Sequence, residues 1–585
     1  MIKANWLYLI YKSTVNKYQN IYLVLVAVII GVAAGIGNIL FRELISLIQV
    51  AGYGTGEEIV LGHLNEAVYY KIILIPALGG LLVGIIYHFY KAPEGRGVPM
   101  VIKAIVMKKR IPATAGIVTT VTSAITLGSG GSAGREGPIV QIGAAIGSRI
   151  AKFFGFTRSH TRFAIASGAG GGLAATFNTP MAGAMFAAEV LLGRLDFKVF
   201  APVVISCVSA TVVSRAYFGN AVTFIAPEYN LTSFVEIPLC IVLGLCMGFV
   251  GALFVKSYYA VSDFFKNLKI PTFLKPAIGG LVVGVIGLFC RNIMGVGYGT
   301  IMEILSENLV GSALLLLIAL KIIATSFTLG SGGAGGQFVP SLFVGAALGG
   351  VFGWAAHSIY PDYFSNPGSF ALIGMGAMLA ATMRCPITAI LMIFEITQSY
   401  QVVLPLMAAV IIANVFSSWL EQDSFFTRPL RQEGVDLDKG SEILLLERIT
   451  VRELMLTDII KFRTDTPITK VLEEIRRHPH EYFPVVDENG IVKGMLTLKD
   501  LRSTLFDQAT DNQVLTAGDF AGKPFYMVSQ YNTLAEALAV FGMKDMGDLP
   551  VVTETDQGPL LVGLLRRNDI LMAYNSKIRQ ENMIK

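Results

Sequence analysis

Charge is what this sequence has least of. Only 15% of its 585 residues are Asp, Glu, Lys or Arg, against 53% hydrophobic residues and a mean hydropathy of +0.61, where a water-soluble chain carries about 25% charge. A soluble enzyme is excluded. Cysteine is scarce as well: Cys207, Cys240, Cys246, Cys290 and Cys385 lie mostly in apolar stretches without CxxC spacing, and read as small buried hydrophobes. The six histidines show no ligand spacing beyond His478-Pro479-His480, so no metal site is expected. No Ser/His/Asp set or carboxylate pair stands out, and the glycine loops lack the Lys-Ser/Thr of a nucleotide P-loop. Neither catalysis nor a nucleic-acid partner is expected.

The charge that is present is unevenly spread. Residues 1–430 hold 27 Lys/Arg and 17 Asp/Glu, about 10% of that stretch, whereas residues 431–585 hold 19 and 24, about 28%. A bilayer-embedded body is therefore followed by a water-soluble tail. Lys3, Lys12 and Lys17 precede an apolar run from about Ile21 to Leu40 that is long enough to span. This predicts a cytoplasmic N-terminal segment over 1–20. Apolar segments then follow to about residue 421, many broken by Gly, Ser and Pro, and several too short to cross about 30 Å of hydrocarbon. Broken helices at membrane depth line a cavity or are buried in protein, which points to a transport site.

Glycine, by contrast, is abundant, with 61 residues, and much of it repeats. Thr126-Leu127-Gly128-Ser129-Gly130-Gly131, then Pro138 and Gly143-Ala144-Ala145, recur as Thr328-Leu329-Gly330-Ser331-Gly332-Gly333, Pro340 and Gly345-Ala346-Ala347, always 202 residues later. Gly168, Gly170, Ala174-Ala175-Thr176, Pro180 and Glu189 match Gly374, Gly376, Ala380-Ala381-Thr382, Pro386 and Glu395 at an offset of 206. The body, 21–427, is thus two related halves of about 21–220 and 232–427. Whether they run parallel or inverted stays open at this point.

The tail repeats too. Ile468, Leu472 and Pro484-Val485-Val486 match Leu534, Leu538 and Pro550-Val551-Val552, while Gly494 and Asp500 match Gly563 and Asp569. Each copy reads as helix, buried strand, turn, strand and a helix near the Asp. The expected bounds are a linker over 428–450, a first copy over 451–509 and a second over 515–580.

The glycine loops 128–138 and 330–340 should each end one broken helix and begin another. Glycine lets amides turn inward, and a helix N-terminus adds about half a positive charge, so two such loops together make an anion site without metal. Arg135 and Glu136 lie side by side in the first loop. A carboxylate at membrane depth costs at least about 2.5 kcal/mol. Glu136 could take the place of a permeant anion and leave when protonated, which makes it a pH-sensitive gate.

At these residues the sequence resembles the CLC chloride channel and transporter family. Gly134-Arg135-Glu136-Gly137-Pro138 is that family's GREGP, Gly335-Gly336-Gln337-Phe338-Val339-Pro340 is similar to GGxFxP, and Gly95-Arg96-Gly97-Val98-Pro99 is similar to GSGIP. The resemblance implies an all-α polytopic membrane fold with inverted repeats, a homodimer with one pore per subunit, and cytoplasmic termini in a plasma or inner membrane. It also implies that the tail is a pair of α/β CBS domains. Glu136 then matches the external gate, and Arg135, Gly137, Gln337, Phe338 and Val339 match the anion-binding segments. In CBS pairs a Thr-x-x-Asp holds the ribose of ATP, ADP or AMP; Thr497 and Asp500 match it, whereas Arg566 replaces the hydroxyl before Asp569.

Three residues depart from the family pattern. Arg96 stands at the anion-binding serine, either tightening anion binding at the inner mouth or turned to the cytoplasm so that the central site is short of one donor, and Phe426 stands at the inner tyrosine. Val190 stands where the family's exchangers have their internal proton glutamate, and the adjacent Glu189 reads as structural. The resemblance implies a gated anion channel for chloride that requires no cofactor; the alternative is a proton-coupled chloride exchanger or a fluoride-selective relative.

Overall fold

The computed structural model describes residues 2–54, 69–90, 96–107, 109–193, 197–219, 224, 235–361, 364–433, 435, 446, 449–477, 482–497, 501, 515–521, 526–543, 547–555, 557–570 and 572–573. The chain divides into two compact units, Met1–Val435 and Asp436–Lys585. Among the described residues of the first, eight helices are long and apolar enough to cross a bilayer, and shorter apolar helices lie between them. Helix α1 runs from Ile2 to Tyr53, so the segment expected to precede the first span continues into it as one helix.

Six further helices of the first half carry the argument: α2 (Tyr69–Phe89), α3 (Gly97–Val106), α4 (Ala113–Gly128), α5 (Glu136–Phe153), α6 (Arg158–Phe177) and α7 (Pro180–Phe186). A π-helical turn, Ala187–Leu192, extends α7, and α8 (Phe197–Phe218) closes this half. The second half has α9 (Glu236–Asn267), α10 (Lys275–Phe289), α11 (Tyr298–Leu305), α12 (Ala313–Gly330), α13 (Phe338–Ile359), α14 (Pro367–Met383), α15 (Pro386–Thr397) and α16 (Val403–Leu420). Helix α17, Thr427–Gln432, belongs to this unit. The linker expected from residue 428 therefore begins as a helix, because Arg428 is held by Asp263 at 3.0 Å and Leu430 is buried.

Why α4 and α12 stop where they do follows from the repeated Thr-Leu-Gly-Ser-Gly-Gly. Gly131 N donates to Thr126 O at 2.9 Å and Ser129 Oγ to the same carbonyl at 3.1 Å; Gly333 N and Ser331 Oγ do the same to Thr328 O at 3.1 and 3.2 Å. The final carbonyls are thus satisfied without water. Gly130 (φ 90°) and Gly332 (φ 107°) take the left-handed step that turns the chain back.

The halves are related by a two-fold axis that exchanges their contacts. Thr126 Oγ1 accepts from Ala334 N and Thr328 Oγ1 from Ser132 N, at 3.2 and 3.1 Å. Glu189 accepts from Ile387 N and Thr388 N at the start of α15, while Glu395 accepts from Met181 N and Ala182 N at the start of α7. Each half completes the other's helix ends.

The direction of the repeat is read from α2 and α10. A Cβ on Gly80 would meet Pro276 O at 2.1 Å, and one on Gly280 would meet Pro76 O at 2.1 Å. The pairing 76 with 280 and 80 with 276 runs antiparallel. Because both helices are membrane-crossing by length and composition, two homologous spans that cross in opposite directions make the repeat inverted.

In the second unit, β1 (Phe462–Arg463), β2 (Tyr482–Val486) and β3 (Val492–Thr497) form one sheet, and β4 (Val528–Ser529), β5 (Asp548–Thr555) and β6 (Gly558–Arg566) form another. In both sheets the first pair is parallel and the second antiparallel. The two-residue strands β1 and β4 go beyond the helix-strand-turn-strand reading. Helices α18 (Ile468–Arg477) and α19 (Leu534–Met543) cover separate apolar cores around Val485 and Val551.

Candidate anion pathway

Gly134 and Gly336 form the floor of the site. Gly134 N donates to Gly336 O and Gly336 N to Gly134 O, both at 2.7 Å. A Cβ on Gly134 would stand 2.3 Å from Glu136 Oε2 and 3.2 Å from Gly336 O, so only glycine lets the loops meet here. Immediately beyond, α5 and α13 begin, with Arg135 and Gln337 at their N-caps and no side-chain cap on either. Two helix N-termini therefore present their first amides to the same region, a place suited to negative charge.

Glu136 occupies it. The side chain is 1% exposed, Oε1 accepts from the Tyr298 hydroxyl at 3.0 Å, and Oε2 has no hydrogen-bond partner among the described residues. Tyr298 is held in turn by the Arg135 guanidinium, 4.7 Å from its ring centroid, and by the Phe224 ring at 5.2 Å. The turn that delivers Tyr298 rests on a buried lysine: Lys321 Nζ donates to Ile293 O at 3.0 Å and to Gly295 O at 3.2 Å. Neither Tyr298 nor Lys321 was picked out from the sequence, although Lys321 is the one charged residue within the apolar span α12.

A cavity of about 220 Å³ leads away from Glu136. Gly137, Gln337, Phe338 and Phe426 line it, so the structure brings these expected residues together. Val339 is buried in the first turn of α13 beside them. Phe338 packs on Phe177 at 5.5 Å, and Phe426 stands edge-on to Phe186 at 6.5 Å. Arg96 lines the cavity too, with Lys103 and Glu433, which are paired at 2.6 Å. Its guanidinium stacks 3.3 Å from the Tyr87 ring centroid and donates to Gly332 O at 3.2 Å, and the side chain is exposed. In this position its charge lies on the cavity lining and within reach of solvent.

Val190 lies half-buried in the π-helical turn. Both oxygens of neighbouring Glu189 are engaged by the start of α15, with Thr388 Oγ1 adding a third bond at 2.6 Å. In the tail, Thr497 ends β3 and Asp500 lies outside the described residues. Asp569 is gripped at both oxygens by Arg566, at 2.6 and 3.0 Å. That grip, which favours the charged guanidinium, occupies the carboxylate expected to receive a ribose.

A family model described as voltage gated chloride channel matches residues 79–418, more than half of the chain. The chain belongs to this CLC family. A CBS domain model matches residues 451–507 and 517–576 in the tail. Among curated relatives, the putative chloride channel protein ClcB-like of Ralstonia nicotianae is 33% identical over 419 residues, which are 70% of this chain and 97% of that protein. The H(+)/Cl(-) exchange transporter ClcA of Vibrio campbellii is 36% identical over 318 residues, 52% of this chain and 68% of that one. Among solved structures, a slow cyanobacterial Cl-/H+ antiporter superposes with a TM-score of 0.65 at 26% identity, covering 71% of this chain and 99% of its own.

Proposed function

We propose that this CLC protein conducts chloride or a similar small anion passively through the cavity that ends at Glu136, with Glu136 as its gate. The observation that carries the reading is the buried Glu136 carboxylate placed where two helix N-termini without side-chain caps meet. A carboxylate there stands in for the anion itself. When protonated it loses the charge that holds it among those amides, and a permeant anion takes the position. Val190 offers no second carboxylate for a relay, and Glu189 is committed to α15. The chain would act as a homodimer in a plasma or inner membrane, with Arg96 and both termini on the cytoplasmic side. Its tail would tune the gate, with an adenine nucleotide, if bound, held at the first copy.

A second reading, proton-coupled chloride exchange, is supported by the names of the Vibrio campbellii and cyanobacterial relatives. One measurement separates the two. In reconstituted vesicles holding a chloride gradient, passive conduction leaves the reversal potential unmoved by an imposed pH gradient; a shift, or uphill chloride movement, establishes exchange. Under either mode Glu136→Gln should abolish the pH dependence of flux, and a retained dependence removes Glu136 as the gate.

A further inference from the structure

The anion site lacks both side-chain hydroxyls that the resemblance led us to expect, since Arg96 and Phe426 stand where the family has a serine and a tyrosine. The same cavity nevertheless holds a phenol from another element. Tyr258, on α9, lines it together with Gln337 and Phe426. Its ring meets Phe425 edge-on at 5.4 Å, and the Gln337 side chain belongs to the same cavity lining. The backbone around Phe426 is tied to the same helix one residue further on, where the Tyr259 hydroxyl donates to Phe425 O at 3.0 Å.

We infer that Tyr258 and Gln337 form the side-chain donor pair of the anion site, in place of the hydroxyls missing at positions 96 and 426. The donor inventory supports this even where the two side chains bond to each other. A phenol has one proton, and a primary amide has two on nitrogen and none on oxygen. If the Tyr258 hydroxyl donates to the Gln337 carbonyl, both amide protons remain for a ligand; if the amide donates to the hydroxyl, the phenol proton remains. At least one donor faces the cavity in either arrangement. Gln337 is free for this task because, although it stands at the N-cap of α13, its side chain makes no capping bond.

The chemistry points to a ligand class. Aromatic rings from Phe338, Phe425 and Phe426 line the cavity beside Tyr258 and Gln337, so much of the surface there is apolar. Such a site replaces the hydration shell of a weakly hydrated monovalent anion better than that of a strongly hydrated one. Chloride, bromide and nitrate fit.

The assignment rests on the anion reading above, and its test keeps the two apart. Chloride binding to the full chain in detergent is titrated calorimetrically, and chloride and thiocyanate efflux are compared in vesicles. A charge-assisted hydrogen bond lost from the site weakens chloride binding roughly tenfold. Tyr258→Phe should show that loss and a shift of relative flux toward thiocyanate, which depends least on donors. Gln337→Leu should do the same. Adding Phe426→Tyr to Tyr258→Phe should recover most of the affinity by returning a hydroxyl to the cavity, which a purely structural role would not predict. If the wild-type chain binds chloride and Tyr258→Phe binds it within twofold at unchanged selectivity, the assignment is wrong. If the wild-type chain neither binds nor passes anions, the anion reading falls and this assignment with it.

Discussion

Gly134 and Gly336 exchange both of their backbone hydrogen bonds at 2.7 Å although 202 residues separate them. The two-fold axis of the membrane unit runs between them, and everything equivalent in the two halves should respond equivalently to the same change.

Gly80→Ala and Gly280→Ala test that equivalence. Each new Cβ would lie 2.1 Å from a proline carbonyl on the opposing helix, a clash that only separation of α2 and α10 relieves. Overpacking of this kind costs about 1–3 kcal/mol. Both variants should lower the melting temperature of the detergent-solubilised protein by similar amounts, and unequal losses would deny the symmetry.

Tyr298→Phe removes the donor at Glu136 Oε1 while keeping the ring against Arg135 and Phe224. The hydroxyl favours the charged carboxylate, so without it the gate leaves its seat more readily. A hydrogen bond to a charged group is worth about 1.5–3 kcal/mol, and 1.36 kcal/mol corresponds to about one pH unit. The pH of half-maximal anion efflux should move up by about one unit or more; a downward move would contradict the latch geometry.

Glu189→Gln and Glu395→Gln address whether either carboxylate handles protons. Each serves two amides at the start of a helix in the other half. Loss of such a cap destabilises by about 0.5–2 kcal/mol. Melting should fall in both variants by comparable amounts, while the response of the reversal potential to a pH gradient should match the parent protein. A changed response in Glu189→Gln alone would give that residue a proton-carrying role.

The tail should lose stability in acid. Asp519 and Glu536 accept from the amides of Thr516 and Thr533, and these bonds hold both carboxyls below their ordinary range. A group depressed in the folded state stabilises above its unfolded value, and that contribution disappears as pH falls through the folded value. Calorimetry of the full chain should show the tail's transition moving down in temperature as pH drops below about 4, the ordinary carboxylate value. Asp519→Asn with Glu536→Gln should flatten that dependence.

The sequence made the two halves, the glycine loops and Glu136 legible because each repeated residue does the same job twice. Thr126 and Thr328, or Glu189 and Glu395, are bound to one another's partners, so neither copy can drift without loss. Hydropathy hid the orientation, since reversing a span leaves it unchanged; the resemblance implied inversion, and the pairing of Gly80 with Pro276 and of Gly280 with Pro76 exposes it. Tyr258 and Tyr298 were missed for a related reason. An aromatic residue in or beside an apolar run looks the same whether it faces lipid, core or pore, and the partners that decide the matter, Gln337 and Glu136, are far away in the chain. Arg96 was readable as a departure but not as a direction, because Tyr87 meets it only in the folded unit. The strands β1 and β4 span two residues each, too few for any periodicity to show.

The exchanged caps also bear on how such a chain is made. Glu395 and Thr328 emerge from the ribosome about 200 residues after the helix ends they serve, so the first half enters the bilayer with the start of α7 and the loop around Ser132 still waiting for acceptors. Each half is in this sense the other's chaperone, and two separately synthesised halves placed in one membrane would recognise each other through these unmet groups.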